Sequence, residues 1–141
     1  MREIKFRAWD KQLKEMASVI CLNIGEWSED HILKSKSHPY TYNQVFENIE
    51  LMQFTGLLDK NGNEIYEGDI LLVPEFYETP EMANTDYIQW VVVFKFGMFT
   101  LENKENTAES DSASLHSDLE AYDGDFEVIG NVYEHPELVK P

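Results

Sequence analysis

The feature that most constrains this chain is a recurring alternation of apolar and polar side chains with a period of two, without any long amphipathic helical repeat. Ile4, Phe6 and Ala8 alternate with Lys5, Arg7 and Trp9. A strand there presents one apolar face and one face that mixes charge with an aromatic ring. Asp10-Lys11 reads as a turn, and the β-branched run Ser18 to Ile24 as the second strand of a hairpin. Residues Leu51 to Thr55 read as a strand that Gly56 ends, and Asp59-Lys60-Asn61-Gly62 as a tight turn, because Asn-Gly tolerates positive φ angles. Glu67-Gly68-Asp69 is a second turn, followed at once by the apolar run Ile70 to Val73, which Pro74 limits.

Tyr87 to Gly97 is the longest strand signal, with Met98 to Glu102 pairing back on it, and Phe126 to Tyr133 is the last strand before His135-Pro136. Between these elements the period is lost. Gly25 to Asn48 reads as an irregular excursion with one helical turn inside Asn43 to Ile49, and Lys104 to Ser114, which lacks any large apolar residue, as a solvated loop. Thr79-Pro80-Glu81-Met82 and Ser117-Asp118-Leu119-Glu120 carry helix-start signals for short helical turns. Tyr66-Glu67-Gly68-Asp69-Ile70 is echoed by Tyr122-Asp123-Gly124-Asp125-Phe126, two strand-entry turns of common composition. Six or seven short strands of this kind predict a mainly β fold with irregular insertions and one or two short helical turns, and a Gly-Asp turn directly before an apolar strand is one that a small Greek-key or SH3-like barrel often uses.

Size and charge then bound the function. A chain of 141 residues is one domain by length, and 43% hydrophobic residues supply a core. The single Cys21 excludes an intramolecular disulfide framework and any zinc site built on two thiolates. Eleven basic against 27 acidic side chains give a net charge of −16, which repels nucleic acid and anionic membranes. Residues 1–70 carry 8 basic and 12 acidic side chains, and residues 71–141 carry 3 and 15. Neither a signal-peptide run nor a membrane-length apolar stretch is seen, so a cytoplasmic location is expected.

Few residues suggest chemistry. His31, His38, His116 and His135 lack the spacing that aligns metal ligands and read as solvated loop histidines; no metal and no cofactor is expected. Cys21, between Ile20 and Leu22, reads as a small buried hydrophobe. Carboxylate pairs such as Glu67 and Asp69, or Asp123 and Asp125, suit turns, and a hydrolase would need one member raised in pKa by an apolar pocket. Aromatics at Trp9, Trp90, Phe94 and Phe96 fall on strands and read first as ordinary core packing, with an interface as the alternative for those a small core cannot hold. Lys5, Arg7 and Trp9, on the face opposite Ile4, Phe6 and Ala8, form the candidate contact strip.

Met1 to Asp10, Leu51 to Leu57 with Asp59-Lys60-Asn61-Gly62, Glu64 to Ile70, and Glu127 to Glu134 with Pro136-Glu137-Leu138 together resemble the YopX family of bacteriophage and prophage proteins. The matching blocks run almost from end to end. Two segments, 26–48 and 104–121, fall outside them and read as variable insertions in a single domain over 1–141. The resemblance implies a mainly β fold of SH3-like character in a phage protein present in the host cytoplasm, and it brings no catalytic residues. The function expected is a non-enzymatic accessory module that binds a protein partner of host or phage, without direct nucleic acid or membrane contact, and that forms a two-fold homo-oligomer. Two other classes stand beside it: an acidic nucleic-acid mimic that blocks a DNA-binding protein, and a carboxylate-dependent hydrolase.

Overall fold

The structure, a computed structural model, describes residues 3–24, 30–74, 87–103, 114–121 and 124–139. They form two compact units, 1–54 and 55–141. Among the described residues the chain is mainly β, with antiparallel sheets of six and four strands and one α-helix. Among the described residues the pairings close no barrel.

In the first unit, β1 (Phe6–Asp10), β2 (Glu15–Cys21), β3 (Asp30–Ser35) and β4 (Tyr42–Val45) form a meander, and β5 (Ile49–Leu58) pairs back on β1. The registers set Ala8 opposite Ala17 and Leu51, Val19 opposite Leu33, and Leu33 opposite Tyr42. Directly opposed residues share a face of the sheet. That face is the core of the unit: Ala8, Ala17, Leu33 and Ile49 are buried, with Val19, Tyr42 and Leu51 packed against them. The segment expected to be irregular up to Asn48 therefore contains an ordered strand pair from residue 30 onward. Its inward positions include His31 and Ser35, both buried, so polar residues at core positions break the apolar period that would have announced β3. The helical turn expected within Asn43 to Ile49 is a 3-10 turn at Phe46–Asn48.

The first hairpin turns later than Asp10-Lys11 suggests. Residues 11–14 form the turn, Lys14 takes the left-handed conformation at φ 55°, and β2 begins at Glu15 rather than Ser18. Cys21 is exposed, contrary to expectation. It closes β2 beyond a register shift between Val19 and Cys21, where the inward alternation no longer holds.

The second unit holds the end of β5, then β6 (Glu64–Tyr66), β7 (Asp69–Pro74), β8 (Tyr87–Lys95), β9 (Met98–Glu102), α1 (Leu115–Ala121) and β10 (Glu127–Asn131). Gly56, at φ 84°, sits inside β5 instead of ending it, at a backbone angle that glycine adopts without strain. The core is Ile65, Leu71, Val73, Val92, Leu101, Leu115 and Phe126, with Trp90, Phe99, Leu119 and Val128 packed on it. Helix α1 starts three residues before the expected position because Ser114 caps it, its Oγ accepting the Ser117 N–H at 3.2 Å. The helix ends where the Gly124 N–H, at φ 73°, reaches the Leu119 carbonyl at 2.7 Å. Gly68 also has a positive φ but leads from β6 into β7, so the sequence echo joins two unlike turns. The helix-start signal at Thr79-Pro80-Glu81-Met82 and the loop 104–113 lie outside the described residues.

Strand β10 stops at Asn131, short of Tyr133, because the Asn131 Oδ1 accepts the N–H groups of Tyr133 and Glu134 and turns the chain. A Cβ at Gly130 would lie 2.6 Å from the His135 Nδ1 and 2.8 Å from its Cγ. The His135 ring is held there, accepting the Asn131 N–H at Nδ1. Gly130→Ala is therefore expected to cost about 1–3 kcal/mol by overpacking, measured by urea denaturation. The same change made in His135→Ala should cost clearly less, since the clashing ring is gone.

Candidate functional site: a buried carboxylate hub and an aromatic hairpin tip

Two features rise above ordinary packing, one in each unit. The first is Asp10, fully buried at the end of β1. Its Oδ1 accepts the N–H groups of Gln12 and Leu13, both at 2.9 Å, and its Oδ2 accepts the Tyr42 hydroxyl at 2.9 Å and the Gln44 amide at 3.3 Å. Gln44 also donates to Gln12 Oε1 and accepts from Asn48. Burial pushes the Asp10 pKa up, but the donors from Leu13, Tyr42, Gln44 and Gln12 outweigh it and hold the carboxyl below the usual range. Tyr42 responds in the opposite direction. Its hydroxyl is pushed up to about 12 by burial and by its bond to the Asp10 carboxylate.

Beside this hub the Ser37 hydroxyl donates to Glu15 at 2.6 Å, and His38 Nδ1 lies 3.2 Å from Ser37 and 3.4 Å from Ser35. The His38 ring lies 4.7 Å from that of Tyr42. These polar groups satisfy one another at one end of the first unit, and the Ser37 hydroxyl lowers the Glu15 pKa.

The other expected residues fall as follows. Arg7 and Trp9 share a face of β1, Lys5 stands just before the strand, and all three are half-buried. Opposite Arg7 lies Met52 and opposite Lys5 lies Phe54, both buried, so this face carries apolar side chains as well. Lys5 pairs with Glu3 at 3.3 Å and stands over the Phe54 ring. Ile4, expected on the buried face, precedes β1 and is exposed. His31 is buried, not solvated: Nδ1 accepts the Asn23 N–H at 3.0 Å, and the ring packs on Phe46 at 3.8 Å. His38 and His135 are half-buried, and only His116 among the four is exposed. Among the described residues, no three His, Cys, Asp or Glu side chains come together as a metal set. In the pair Glu67 and Asp69, burial raises the Glu67 pKa, while Asp69 accepts the Tyr66 N–H at 2.7 Å and serves the turn.

The second feature is the tip of the β8–β9 hairpin. Lys95 pairs with Met98, leaving Phe96-Gly97 as a two-residue turn with φ of 54° and 74°. Positive φ at both central residues is a type I′ turn, for which Asn-Gly or Gly-Gly is the favoured pair. Phenylalanine in the left-handed region is strained by about 1–2 kcal/mol. Packing offsets little of this, because Phe96 is 81% exposed. Phe94, 54% exposed, lies edge-on to Phe99 at 5.1 Å, and the Lys95 ammonium sits 5.8 Å above the Phe96 ring.

Compared with known families, residues 5–140 match the family described as YopX protein. The chain belongs to the YopX family. Among solved structures, this YopX chain is similar to protein EF1440 from Enterococcus faecalis, with a TM-score of 0.59 and 30% identity over 99% of this chain and 100% of that one. It is also similar in fold to protein yopX from Bacillus subtilis, with a TM-score of 0.51 and 23% identity over 99% and 100% of the two chains. The curated proteins contain no match. The blocks that carried the sequence resemblance are the turn and core residues of this YopX fold: Asp59 to Gly62, Gly68-Asp69, and Glu127 to Glu134.

Asp10 has a folded-state pKa below its unfolded value near 4, so its contribution to stability is fully present above about pH 4 and is lost as pH falls through the lower, folded-state value. Asp10→Asn is expected to lose about 2–3 kcal/mol at neutral pH, since charge-assisted bonds to a buried group are given up. In urea denaturation at pH 7 and pH 3, the difference between wild type and variant should narrow at the lower pH.

Proposed function

We propose that this protein is a non-enzymatic phage accessory module, acting in the host cytoplasm, that binds a protein partner through the β8–β9 hairpin tip. The observation that carries the reading is Phe96, an exposed aromatic kept at a backbone position that disfavours it. Strained, exposed residues of this kind point to a contact made outside the chain. An aromatic anchor beside a second exposed ring and a cation has the composition of an interface hot spot.

The Lys5, Arg7 and Trp9 strip remains the other proposed contact surface, and with it the two-fold homo-oligomer. It is favoured less than the tip because its side chains are half-buried and Lys5 is engaged by Glu3 and Phe54. Two features of the first unit support the SH3-like reading. Its strand order is β4-β3-β2-β1-β5, and a 3-10 turn joins β4 to β5. Scaffolds of this class commonly serve as binding modules.

The test uses Phe96→Asn, which installs the favoured Asn-Gly pair. The variant is expected to be more stable than wild type by about 1 kcal/mol in urea denaturation. It should also fail to retain the partner that immobilised wild-type protein captures from host-cell extract. Equal retention by the variant, or lower stability, would overturn the proposal. Light scattering of wild type at low and high salt tests the homo-oligomer, and a monomer mass in both rejects it.

A further inference from the structure

The charge of the chain is divided along its two units. Residues 1–54 carry 7 basic and 8 acidic side chains, whereas residues 55–141 carry 4 and 19. The aromatic tip belongs to the strongly acidic unit. A specific interface covers about 800 Å² per partner, far more than two phenylalanine rings supply. Any partner that takes in the tip must therefore also face the surrounding surface of the second unit. Exposed Glu102, paired with Val91, lies at the opposite end of the same hairpin from the tip, and Lys95, the single basic residue in 87–102, stands over the Phe96 ring.

From this juxtaposition we infer that the partner is a protein with a basic surface surrounding an apolar pocket, into which Phe94 and Phe96 insert. This rests on the reading of the tip as the contact element. Electrostatic attraction would steer the encounter and the rings would anchor it, a division of labour in which charge sets the on-rate and buried aromatics slow dissociation. A second copy of this chain is disfavoured as occupant because its own second unit carries the same excess of acid. An anionic membrane is disfavoured by repulsion of a chain of charge −16.

The experiment compares binding of two synthetic amphipathic helical peptides, one of Leu and Lys and one of Leu and Glu, to wild type and to Phe94→Ser/Phe96→Asn. Wild type is expected to bind the Leu/Lys peptide with an affinity that falls as salt rises, to ignore the Leu/Glu peptide and vesicles of anionic lipid, and to lose at least about tenfold in affinity in the double variant. Undiminished binding of Leu/Lys peptide by the variant would show charge acting alone and overturn the inference. So would equal binding of the Leu/Glu peptide, no binding of either peptide, preferred binding to vesicles, or a wild-type dimer in light scattering that the variant lacks. If the variant loses the partner captured from host extract but treats the peptides as wild type does, this inference fails while the binding-module reading stands. If capture is also unaffected, both fail.

Discussion

A buried carboxylate cannot be left without donors, and the second oxygen of Asp10 meets that requirement only if the first sheet bends. Strands β4 and β1 are three positions apart, so in a flat sheet they would lie about 14 Å apart with side chains standing away from the plane. Yet the Tyr42 hydroxyl on β4 donates to Asp10 on β1 at 2.9 Å, and Gln44 reaches the same oxygen. The sheet must therefore curl, with the small Ala8 and Ala17 at its inner face. One charge thus fixes the turn after β1 through two backbone N–H groups and holds β4 over the core.

The second unit uses the same device with different residues. Asp59, buried after β5, accepts the N–H groups of Asn61 and Asn63 with Oδ1, and the Asn63 side chain and the Val128 N–H with Oδ2. Burial pushes its pKa up, and the donors from Val128, Asn63 and Asn61 outweigh this and lower it. The turn is thereby tied to β10, a strand far away in sequence. In each unit the aspartate organises its own turn first and then recruits a distant strand.

Local signals in the sequence were readable wherever one residue dominated. Asn61-Gly62, Gly68-Asp69 and the apolar run ahead of Pro74 each carry their conformation in their own chemistry, and the structure has turns and a strand there. Strand β3 was hidden because its inward positions hold His31, Leu33 and Ser35, which show no apolar period. Cys21 misled because apolar neighbours do not imply burial beyond a bulge. Of the Asp10 hub only the turn was legible: its donors Tyr42 and Gln44 lie more than 30 residues away, and no local pattern relates them. Phe96 was visible as an excess aromatic on a strand, but its exposure follows from a two-residue turn whose left-handed backbone the residue itself disfavours.

The ladder between β1 and β5 also bears on how the first unit is reached from the unfolded chain. Its pairs, from Asp10 with Ile49 to Phe6 with Gln53, join residues 39 to 47 positions apart, whereas the β1–β2, β2–β3 and β3–β4 hairpins use near neighbours. Hairpins form in microseconds, but closing the longer loop costs chain entropy before any pair rewards it. The meander can therefore assemble early with one edge of β1 still open, and docking of β5 is the slow, cooperative step. Until it occurs, the N–H and C=O groups on that edge of β1 stand unpaired, and the nascent chain is most exposed to pairing with a neighbour.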